Sequence, residues 1–387
     1  METVAAAPMS AVREFVRDHL VGQEALFDAG LEAPVAACQA FQDAGLANWW
    51  IPTEYGGRGV SLEDSVDLVE ELAYGDAGVA FTLFISVLAT VPILLFGTAT
   101  QKQTWLGQLA RGGYAATQGS EREAGSELLN MTTTATRVGD DFVVNGVKYF
   151  STNAAFADPW LLIAKAPAEP LGFVALAFSP PTGAIIRKRW PMVGLRASAT
   201  YEVEFKACHV PATALLDDIN GLRALEIGLN ASRILIATTA VGMGRRIRDL
   251  CLDYAKTKPL KGGVLLGNHV FVAKMGQMEM QLDAMLAACR AAGRDMDRAL
   301  ASDGGSAFRR QGTLKSALVA KMLCGQVGWN IATVGSEMFG GLGYTRESLV
   351  EKLLRDMRHI SIVEGGDDVL RETLFSRYVL PQMGRPR

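Results

Sequence analysis

Three short segments of the chain combine residue types that could bind or transform a small molecule. The segment Gln118–Glu127, QGSEREAGSE, is dense in hydroxyls and glycine, so its backbone N–H groups have room to approach a phosphate or a ring. In YFSTN, Tyr149–Asn153, an aromatic plane and two hydroxyls end a strand pattern. In RDMRHISIVEGGDD, Arg355–Asp368, Glu364 follows an apolar run and precedes two glycines. These residue types would allow a cofactor site and a general base.

Two of these segments also have an ordinary structural interpretation, and the residues alone leave both interpretations open. The carboxylate of Glu364 is either a poised base or an acid at a helix N-terminus, where the helix dipole favours it. The segment Gln118–Glu127 can equally be a solvated loop. The run Gly340–Gly343, GGLG, follows a long helical pattern and by itself indicates a C-terminal turn.

The sequence gives little support to other classes of site. Neither a Rossmann glycine motif nor a P-loop occurs. Lys and Arg number 38 against 41 Asp and Glu, so no nucleic-acid partner is expected. Five scattered cysteines argue against a disulfide framework and favour a reducing compartment. No metal site is expected either, because the four histidines lack a two-His helical spacing: His19, His209, His269 and His359.

The elements that must position these segments change type twice along the 387 residues. Apolar residues recur at helical spacing from about residue 10 to 112, and strand patterns dominate from there to about 211. Helical patterns then return. We therefore predict an α+β fold with an N-terminal helical domain (residues 1–113), a central β domain (114–218) and a C-terminal bundle of long helices (219–387).

Individual elements follow from local patterns. Asn145-Gly146 lies between two β-branched and aromatic runs and predicts a hairpin over Asp141–Phe150. The other predicted strands are Trp160–Ala164, Gly172–Phe178 and Tyr201–Phe205, and the predicted long helices are Leu222–Tyr254, Asn268–Leu300 and Thr313–Phe339.

Two features bear on location. Charged residues between Arg13 and Asp18 interrupt the apolar core that a signal peptide needs, which favours the cytoplasm. The most apolar stretch, Phe81–Phe96, contains Pro92 and is shorter than the roughly 20 apolar residues of a spanning helix. We expect a buried helix there and no membrane association.

Six motifs occur in the order and spacing of the acyl-CoA dehydrogenase family, and the resemblance covers nearly the whole chain. The segments are IPTEYGGRG (Ile51–Gly59), SEREAGSE (Ser120–Glu127), YFSTN, GLRASAT (Gly194–Thr200), FGGLGYTRE (Phe339–Glu347) and RDMRHISIVEGG (Arg355–Gly366). They resemble P-x-E-Y-G-G-x-G, T-E-P-G-A-G-S-D, W-I-T-N, G-x-R-x-S-x-T, F-G-G-x-G-Y-x-x-E and R-D-x-R-x-x-x-I-Y-E-G-T. The resemblance implies that family's fold, with a β-barrel or sandwich as the central domain, and FAD held between domains and across the interface of a homodimer or homotetramer.

The resemblance also implies a reaction. An acyl-thioester dehydrogenase removes the α-proton of its substrate while the β-hydride passes to flavin N5, giving an α,β-unsaturated thioester. Glu364 matches the catalytic base, and Ser232 stands where some family members carry the base instead. The expected electron acceptor is an electron-transferring flavoprotein or another separate acceptor. A flavin oxidase or monooxygenase on the same fold is the alternative, and a non-enzymatic binding protein is a further one.

Site residues are carried over position by position. Ser120 and Thr152 match the hydroxyls at the edge of the flavin ring, and Phe150 matches a ring-side tryptophan. Arg233 matches an arginine at the beginning of the first long C-terminal helix that orders the catalytic region. The residues expected to bind FAD are Thr117, Gln118, Ser120, Gly125, Ser126, Phe150, Ser151, Thr152, Lys258, Glu337, Gly340, Gly341, Gly366 and Asp368. The residues expected to bind substrate are Ser126, Asn230, Arg233, Gly365 and Phe84.

Several departures from the family pattern indicate a divergent branch. The family's R-x-x-F appears as Lys258–Lys261, so a point charge replaces a planar fork. Val363 and Gly366 replace the tyrosine and threonine that flank the base motif, and Arg122 replaces the proline of the flavin loop. A specialised thioester is therefore expected, carried on CoA or on an acyl carrier protein. Phe84 and Ile85, which match the far end of the acyl pocket, predict a short or medium acyl tail.

Overall fold

Helices, then strands, then helices again follow one another along the chain. The computed structural model describes residues 6–30, 32–302, 306, 308 and 312–383. The expected α+β class is confirmed. The proposed domain boundaries, 113/114 and 218/219, fall in connections between elements and remain predictions. The outer ends of the first and last proposed domains, residues 1–5 and 384–387, lie outside the described residues.

The N-terminal part is built from helices around a shared apolar core. Side-chain caps define where the central helices begin, since the Ser61 hydroxyl accepts from the Asp64 N–H and the Asp76 carboxylate accepts from the Val79 N–H. The helices are α1 (Ala6–Phe15), α2 (Glu24–Ala29), α3 (Val35–Asp43), α4 (Leu62–Gly75), α5 (Ala77–Phe84), α6 (Val87–Phe96), α7 (Ala99–Gln101) and α8 (Gly107–Ala110).

The apolar stretch Phe81–Phe96 belongs to two helices, α5 and α6, that meet at Ile85–Ser86. Among the described residues, two stretches are long and apolar enough to cross a membrane by length and composition alone, Ala77–Phe96 and Gly221–Thr257. In their most apolar windows 83% and 89% of the residues are buried inside the protein, so packing in the core accounts for their composition.

The central part is a sheet in the order β1-β4-β2-β3-β7-β6, with β5 paired to β4 outside this path. β1 runs parallel to β4, and the long strands β3 and β7 pair antiparallel. The ends of β1 and β3, which carry expected flavin residues, therefore lie in one region of the sheet, beside the start of β7. The strands are β1 (Ala116–Gln118), β2 (Thr134–Val138), β3 (Asp141–Thr152), β4 (Trp160–Lys165), β5 (Phe173–Phe178), β6 (Ala184–Arg189) and β7 (Thr200–Pro211).

The hairpin predicted at Asn145-Gly146 is wrong. β3 runs unbroken through both residues and pairs with β7, with a register irregularity beside Gly146. Gly146 has φ +147, and a Cβ built on it would lie 2.6 Å from the Cα of Thr133. Asn145 instead accepts the N–H of Ala207 with its side-chain oxygen. The Asn-Gly pair therefore forms a bulge where another backbone segment approaches closely. Such a bulge requires glycine just as a tight turn does.

The tight turn of this region lies a few residues earlier, at Gly139-Asp140. It joins β2 to β3, whose closing pair is Val138 with Asp141, and Gly139 has φ +61. A glycine and an aspartate are typical of a two-residue hairpin loop.

The C-terminal part contains the long helices, close to their predicted bounds. The first of them packs against α4 and α6 of the N-terminal part as well as against its neighbours in the bundle. The helices are α9 (Gly221–Thr257), α10 (His269–Ala301), α11 (Lys315–Met338), α12 (Leu349–Met357) and α13 (Asp367–Leu374). A short two-stranded hairpin, β8 (Pro259–Leu260) and β9 (Gly263–Val264), connects α9 to α10.

A buried ionic cluster joins all three parts. The ammonium group of Lys352, on α12, donates to Asp76 Oδ2 at 2.8 Å and to Asp356 Oδ2 at 2.6 Å. Asp76 caps α5, and Asp356 Oδ1 accepts the N–H of Leu195 from the β domain at 2.6 Å. Burial disfavours the charge on Lys352, but the two carboxylates more than offset this and raise its pKa above the ordinary value.

We expect Lys352→Met to lower the free energy of unfolding by about 3–5 kcal/mol, because two buried carboxylates would remain without a cation. The exposed pair Lys274–Glu337 provides the control, and Lys274→Met should change stability by less than about 1 kcal/mol. Urea unfolding of both variants checks this. Equal losses in the two variants would contradict the importance of the buried cluster.

Candidate active site

The segment Gln118–Glu127 is organised by a buried ion pair rather than left in solvent. Glu121 accepts from the Thr132 N–H at 2.6 Å, from the Thr133 N–H at 3.0 Å and from Lys148 Nζ at 2.8 Å. Lys148, on β3, also donates to the carbonyl of Gly119 at 2.9 Å. Lys148 and the other donors therefore fix the loop between β1 and β2 on both sides of Ser120.

The two charges of this pair respond differently to burial. Burial works against the Glu121 carboxylate, yet Lys148 and the other donors outweigh it and hold the pKa of Glu121 at about 2. Burial lowers the pKa of Lys148 to about 8 although Glu121 opposes the shift. Lys148 has one carboxylate and one carbonyl as partners, too few to restore its ordinary value.

The hydroxyls expected at the flavin ring come together at the ends of β1, β3 and β7. Thr152 Oγ1 lies 3.1 Å from Thr200 Oγ1, and the Ser151 hydroxyl donates to Gln118 Oε1 at 3.1 Å. The N–H of Tyr149 donates to the carbonyl of Ser120, which ties the loop to β3. The structure thus brings Gln118, Ser120, Ser151 and Thr152 into one neighbourhood.

Several buried polar atoms near these hydroxyls have no protein partner among the described residues. They include Thr117 Oγ1, Gln118 Nε2 and Asn153 Oδ1. A buried hydroxyl or amide without a partner is costly, which is typical of a position where a ligand completes the hydrogen bonding. The residues present therefore fit a ligand with several hydrogen-bond donors and acceptors, such as the isoalloxazine ring of FAD.

An aromatic cluster lies at the exposed end of β3. Phe150 has φ +56 and a side chain that is 53% exposed, and its ring centroid is 5.1 Å from that of Trp190. Tyr149 contacts Trp190 edge-on, and Lys188 Nζ lies 3.8 Å from the Trp190 ring centroid. An exposed aromatic face of this kind can stack on a planar group.

Glu364 lies in a turn with left-handed backbone. Its φ is +54 and that of Gly365 is +98. Arg233 Nε donates to the carbonyl of Glu364 at 2.9 Å, and the hydroxyl of Ser232 donates to its Oε2 at 2.8 Å. The other carboxylate oxygen, Oε1, is buried and has no hydrogen-bond partner among the described residues. One oxygen of a fixed carboxylate is therefore available to a substrate.

The surroundings of Glu364 make it a stronger base than an ordinary carboxylate. Burial raises its pKa to about 7, although Arg233, the Ser232 hydroxyl and Lys321 each lower it. A general base with a pKa near neutrality exchanges protons efficiently at neutral pH.

Four expected residues of the C-terminal part lie at the surface: Lys258, Glu337, Gly340 and Gly341. Gly340 and Gly341 have nothing within 4 Å of a built Cβ, so a ligand or a second chain could approach their backbone closely. Glu337 forms an exposed ion pair with Lys274. Lys258 is exposed and lies 5.5 Å from the ring centroid of Tyr254. Their expected contact with FAD stays a prediction.

The remaining expected residues flank the groups already described. Gly125 and Ser126 are exposed on the loop between β1 and β2, while Gly365 and Gly366 directly follow Glu364. Asp368 lies in the first turn of α13 and forms an exposed ion pair with Arg371.

The structure gives Asn230 a different set of contacts from the expected substrate binding. Its Nδ2 donates to three backbone carbonyls, including that of Gly312 at 2.7 Å, and its Oδ1 accepts the N–H of Leu314. No hydrogen of Nδ2 remains for a ligand. Asn230 therefore connects α9 to the beginning of α11. The sequence does not predict this role, because the contacts join residues that are far apart in the chain.

Arg233 and Phe84 are both buried in the structure. Arg233 was expected at the beginning of α9, but the helix starts at Gly221 and Arg233 lies in its buried interior. Phe84 is fully buried and packs edge-on against Phe81, with centroids 5.7 Å apart. Its contact with an acyl tail stays a prediction.

Sequence reasoning missed Lys148, Glu121 as its partner, and Lys321. Lys148 offered one signal, a lysine in a strand pattern between Val147 and Tyr149 at a position that pairs with a core valine of β7. Lys321 lies in an apolar helical pattern, where a charged residue at a core position indicates a specific buried partner.

Comparisons with known proteins agree along the whole chain. Family models match residues 6–113 (acyl-CoA dehydrogenase, N-terminal domain), 116–208 (middle domain) and 220–379 (C-terminal domain). A probable acyl-CoA dehydrogenase of Bacillus subtilis, YngJ, is 30% identical over 93% of this chain and 94% of its own. The bovine mitochondrial short/branched chain specific acyl-CoA dehydrogenase is 29% identical over 94% and 83%. The butyryl-CoA dehydrogenase structure from Megasphaera elsdenii superposes with a TM-score of 0.87 at 25% identity, covering 96% and 97%.

We expect Lys148→Met to release bound flavin, because Glu121 would be left buried without its cation and the Gly119 carbonyl without its donor. The ratio of flavin to protein absorbance after gel filtration should fall at least about tenfold. Lys206→Met, an exposed lysine on β7, is the control and should retain flavin. Wild-type flavin content in Lys148→Met would refute the role of the pair.

A second prediction concerns pH. The pKa of Glu364 is about 7 in the folded chain against an ordinary value of 4.5, so its contribution to stability is full below pH 4.5 and is lost as pH rises through 7. Glu364→Gln should therefore be more stable than wild type at pH 8.5 by roughly 3 kcal/mol, at 1.36 kcal/mol per pKa unit. Urea unfolding across pH measures the gap, which should close near pH 4.5. The exposed Glu347→Gln should show no such trend, and a pH-independent gap in Glu364→Gln would be the contrary result.

Proposed function

The chain belongs to the acyl-CoA dehydrogenase family, whose members are FAD-dependent oxidoreductases acting on CH–CH groups, and we propose that Glu364 is the base that removes the α-proton of its acyl thioester. The single observation that carries this proposal is the buried, unpaired Oε1 of a carboxylate whose other oxygen and backbone are held in place.

The protonation state of Glu364 suits that role. An α-proton of a thioester is weakly acidic, so its removal needs a base that binds the proton firmly. A general base is most efficient when its pKa lies near the working pH. Burial raises the pKa of Glu364 to about 7, and the carboxylate is therefore available near neutral pH yet able to keep the proton it takes. Ser232 occupies Oε2, which directs the proton to Oε1.

Bound FAD would supply the acceptor for the β-hydride. The residues that we propose hold it are those of the flavin loop and the ends of β1 and β3, with the unpartnered Thr117 and Gln118 atoms as hydrogen-bonding positions. Thr152 and Ser120 offer hydroxyls, and Phe150 with Trp190 offers a flat apolar wall that excludes water.

We also propose that the protein is a homodimer or homotetramer formed through its C-terminal helices. Large apolar side chains remain exposed there, among them Val270 at 65% and Tyr344 at 89%. Gly340, Gly341 and Lys258 are exposed as well, which supports their proposed contact with the FAD of a second subunit.

The proposed substrate is a short or medium acyl thioester, on CoA or on an acyl carrier protein, and the proposed acceptor is a separate protein such as an electron-transferring flavoprotein. Full burial of Phe84 and its edge-on contact with Phe81 support a closed end of the acyl pocket. Val363 and Gly366, in place of the family's tyrosine and threonine, support a specialised acyl group.

Anaerobic titration of the FAD-loaded protein tests the function. Butyryl, 2-methylbutyryl and octanoyl groups are offered on CoA and on acyl carrier protein, and we expect at least one to bleach the flavin absorbance. Glu364→Gln should keep its flavin and reduce it on the order of a thousandfold more slowly, since an amide cannot take the proton.

Glu347→Gln, at an exposed position, is the matched control and should behave as wild type. A rate within a fewfold of wild type in Glu364→Gln would transfer the base to another residue. Rapid oxygen consumption with the same thioesters would favour an oxidase, and no bleaching with any thioester would exclude the dehydrogenase.

A further inference from the structure

The side chain of Lys321 is fully buried next to the turn that carries Glu364. It lies on α11, in the C-terminal bundle, and its Nζ donates to the carbonyl of Gly365 at 2.7 Å. A second and longer contact, 3.4 Å, reaches Asp367 Oδ1 at the start of α13. The short bond goes to the backbone of the turn rather than to the carboxylate.

This turn needs external support. Glu364 is a non-glycine residue with φ +54, an unfavourable backbone conformation that persists only where the surroundings impose it. Two consecutive carbonyls of the turn are taken by two cationic side chains from different helices. Arg233 of α9 holds the carbonyl of Glu364, and Lys321 of α11 holds that of Gly365.

We propose that Lys321 is a positioning residue for the base: by holding the Gly365 carbonyl it keeps the left-handed turn that aims Glu364 Oε1 at the substrate. This inference rests on the proposed function of Glu364. Lys321 touches neither the carboxylate of Glu364 nor any reacting atom, so it acts through the backbone.

The ionic surroundings of Lys321 provide an independent readout. The charged or titratable groups around it are Asp367, Arg233, Glu364 and His359. Burial lowers the pKa of Lys321 to about 8, although Asp367 opposes the shift. Lys321 in turn lowers the pKa of Glu364, so its removal should raise that pKa further.

Hydrogen–deuterium exchange of the FAD-loaded protein tests the support of the turn without any substrate. In Lys321→Met we expect amides in 358–367 to exchange roughly tenfold faster or more, the effect of losing one charge-assisted hydrogen bond. Peptides from α4 should exchange as in wild type. Lys315→Met, an exposed lysine on the same helix, should leave 358–367 unchanged.

Flavin reduction by butyryl-CoA across pH tests the consequence for the base. Lys321→Met should reduce flavin about 10–100-fold more slowly with thioester affinity changed less than about threefold, and its pH midpoint should move upward. Lys321→Arg restores a cation and donors and should return the midpoint toward wild type. Lys321→Gln keeps a polar group in the same space but carries no charge, so it should show a smaller loss of rate and a similar upward shift of the midpoint. The test therefore does not depend on the folding of the Met variant.

The outcomes separate the two proposals. Unchanged exchange in 358–367 together with an unchanged pH midpoint would overturn the role of Lys321, as would a uniform increase in exchange throughout the chain. If wild-type protein reduces no flavin with any thioester, the function of Glu364 fails, and the exchange data still decide whether Lys321 supports the turn.

Discussion

The ammonium group of Lys352 is the contact on which the arrangement of the three parts depends. Its two carboxylate partners also cap α5 and hold the backbone of the β domain at Leu195, so one charge fixes a helix start, a strand connection and α12 together. α5 carries Thr82, whose carbonyl accepts from Asn153 just after the flavin strand β3. α12 is followed, after the 3-10 turn Arg358–Ser361, by the turn that carries Glu364. This buried cation thus connects the two sides of the site, in addition to the apolar core that the parts share.

The three lysines buried among the described residues differ in how fully nearby groups compensate their charge. Lys352 faces two close carboxylates, and its pKa is raised. Lys148 faces one carboxylate and a carbonyl, while Lys321 faces a carbonyl and a more distant carboxylate, and burial lowers the pKa of both to about 8. A carbonyl contributes only a partial charge and compensates less of the desolvation cost. The fold uses the fully paired lysine to join its parts and the less compensated ones to hold backbone at the site.

Local patterns account for much of the architecture and for little of this chemistry. The long helices could be predicted because apolar periodicity and Asn caps, such as Asn220 and Asn268, are encoded nearby in sequence. The hairpin at Asn145-Gly146 could not be separated from a bulge, since both require glycine and only the pairing with β7 distinguishes them. Lys352 and Asp76 lie 276 positions apart, and no periodicity links such residues.

The resemblance to the family offers two positions for a base, Ser232 and Glu364. The structure shows why these positions are equivalent. The Ser232 hydroxyl reaches Glu364 Oε2 at 2.8 Å, so the interior of α9 and the turn before α13 converge on one point. A carboxylate from either element would meet the same desolvation and the same guanidinium of Arg233. In this chain the longer side chain comes from the turn, and the shorter one donates a hydrogen bond to it. The hydroxyl lowers the pKa of Glu364 against the larger effect of burial, which leaves the carboxylate near neutrality with one oxygen free. The raised pKa of the carboxylate therefore depends on its location where α9 and the turn meet, and both elements contribute to it.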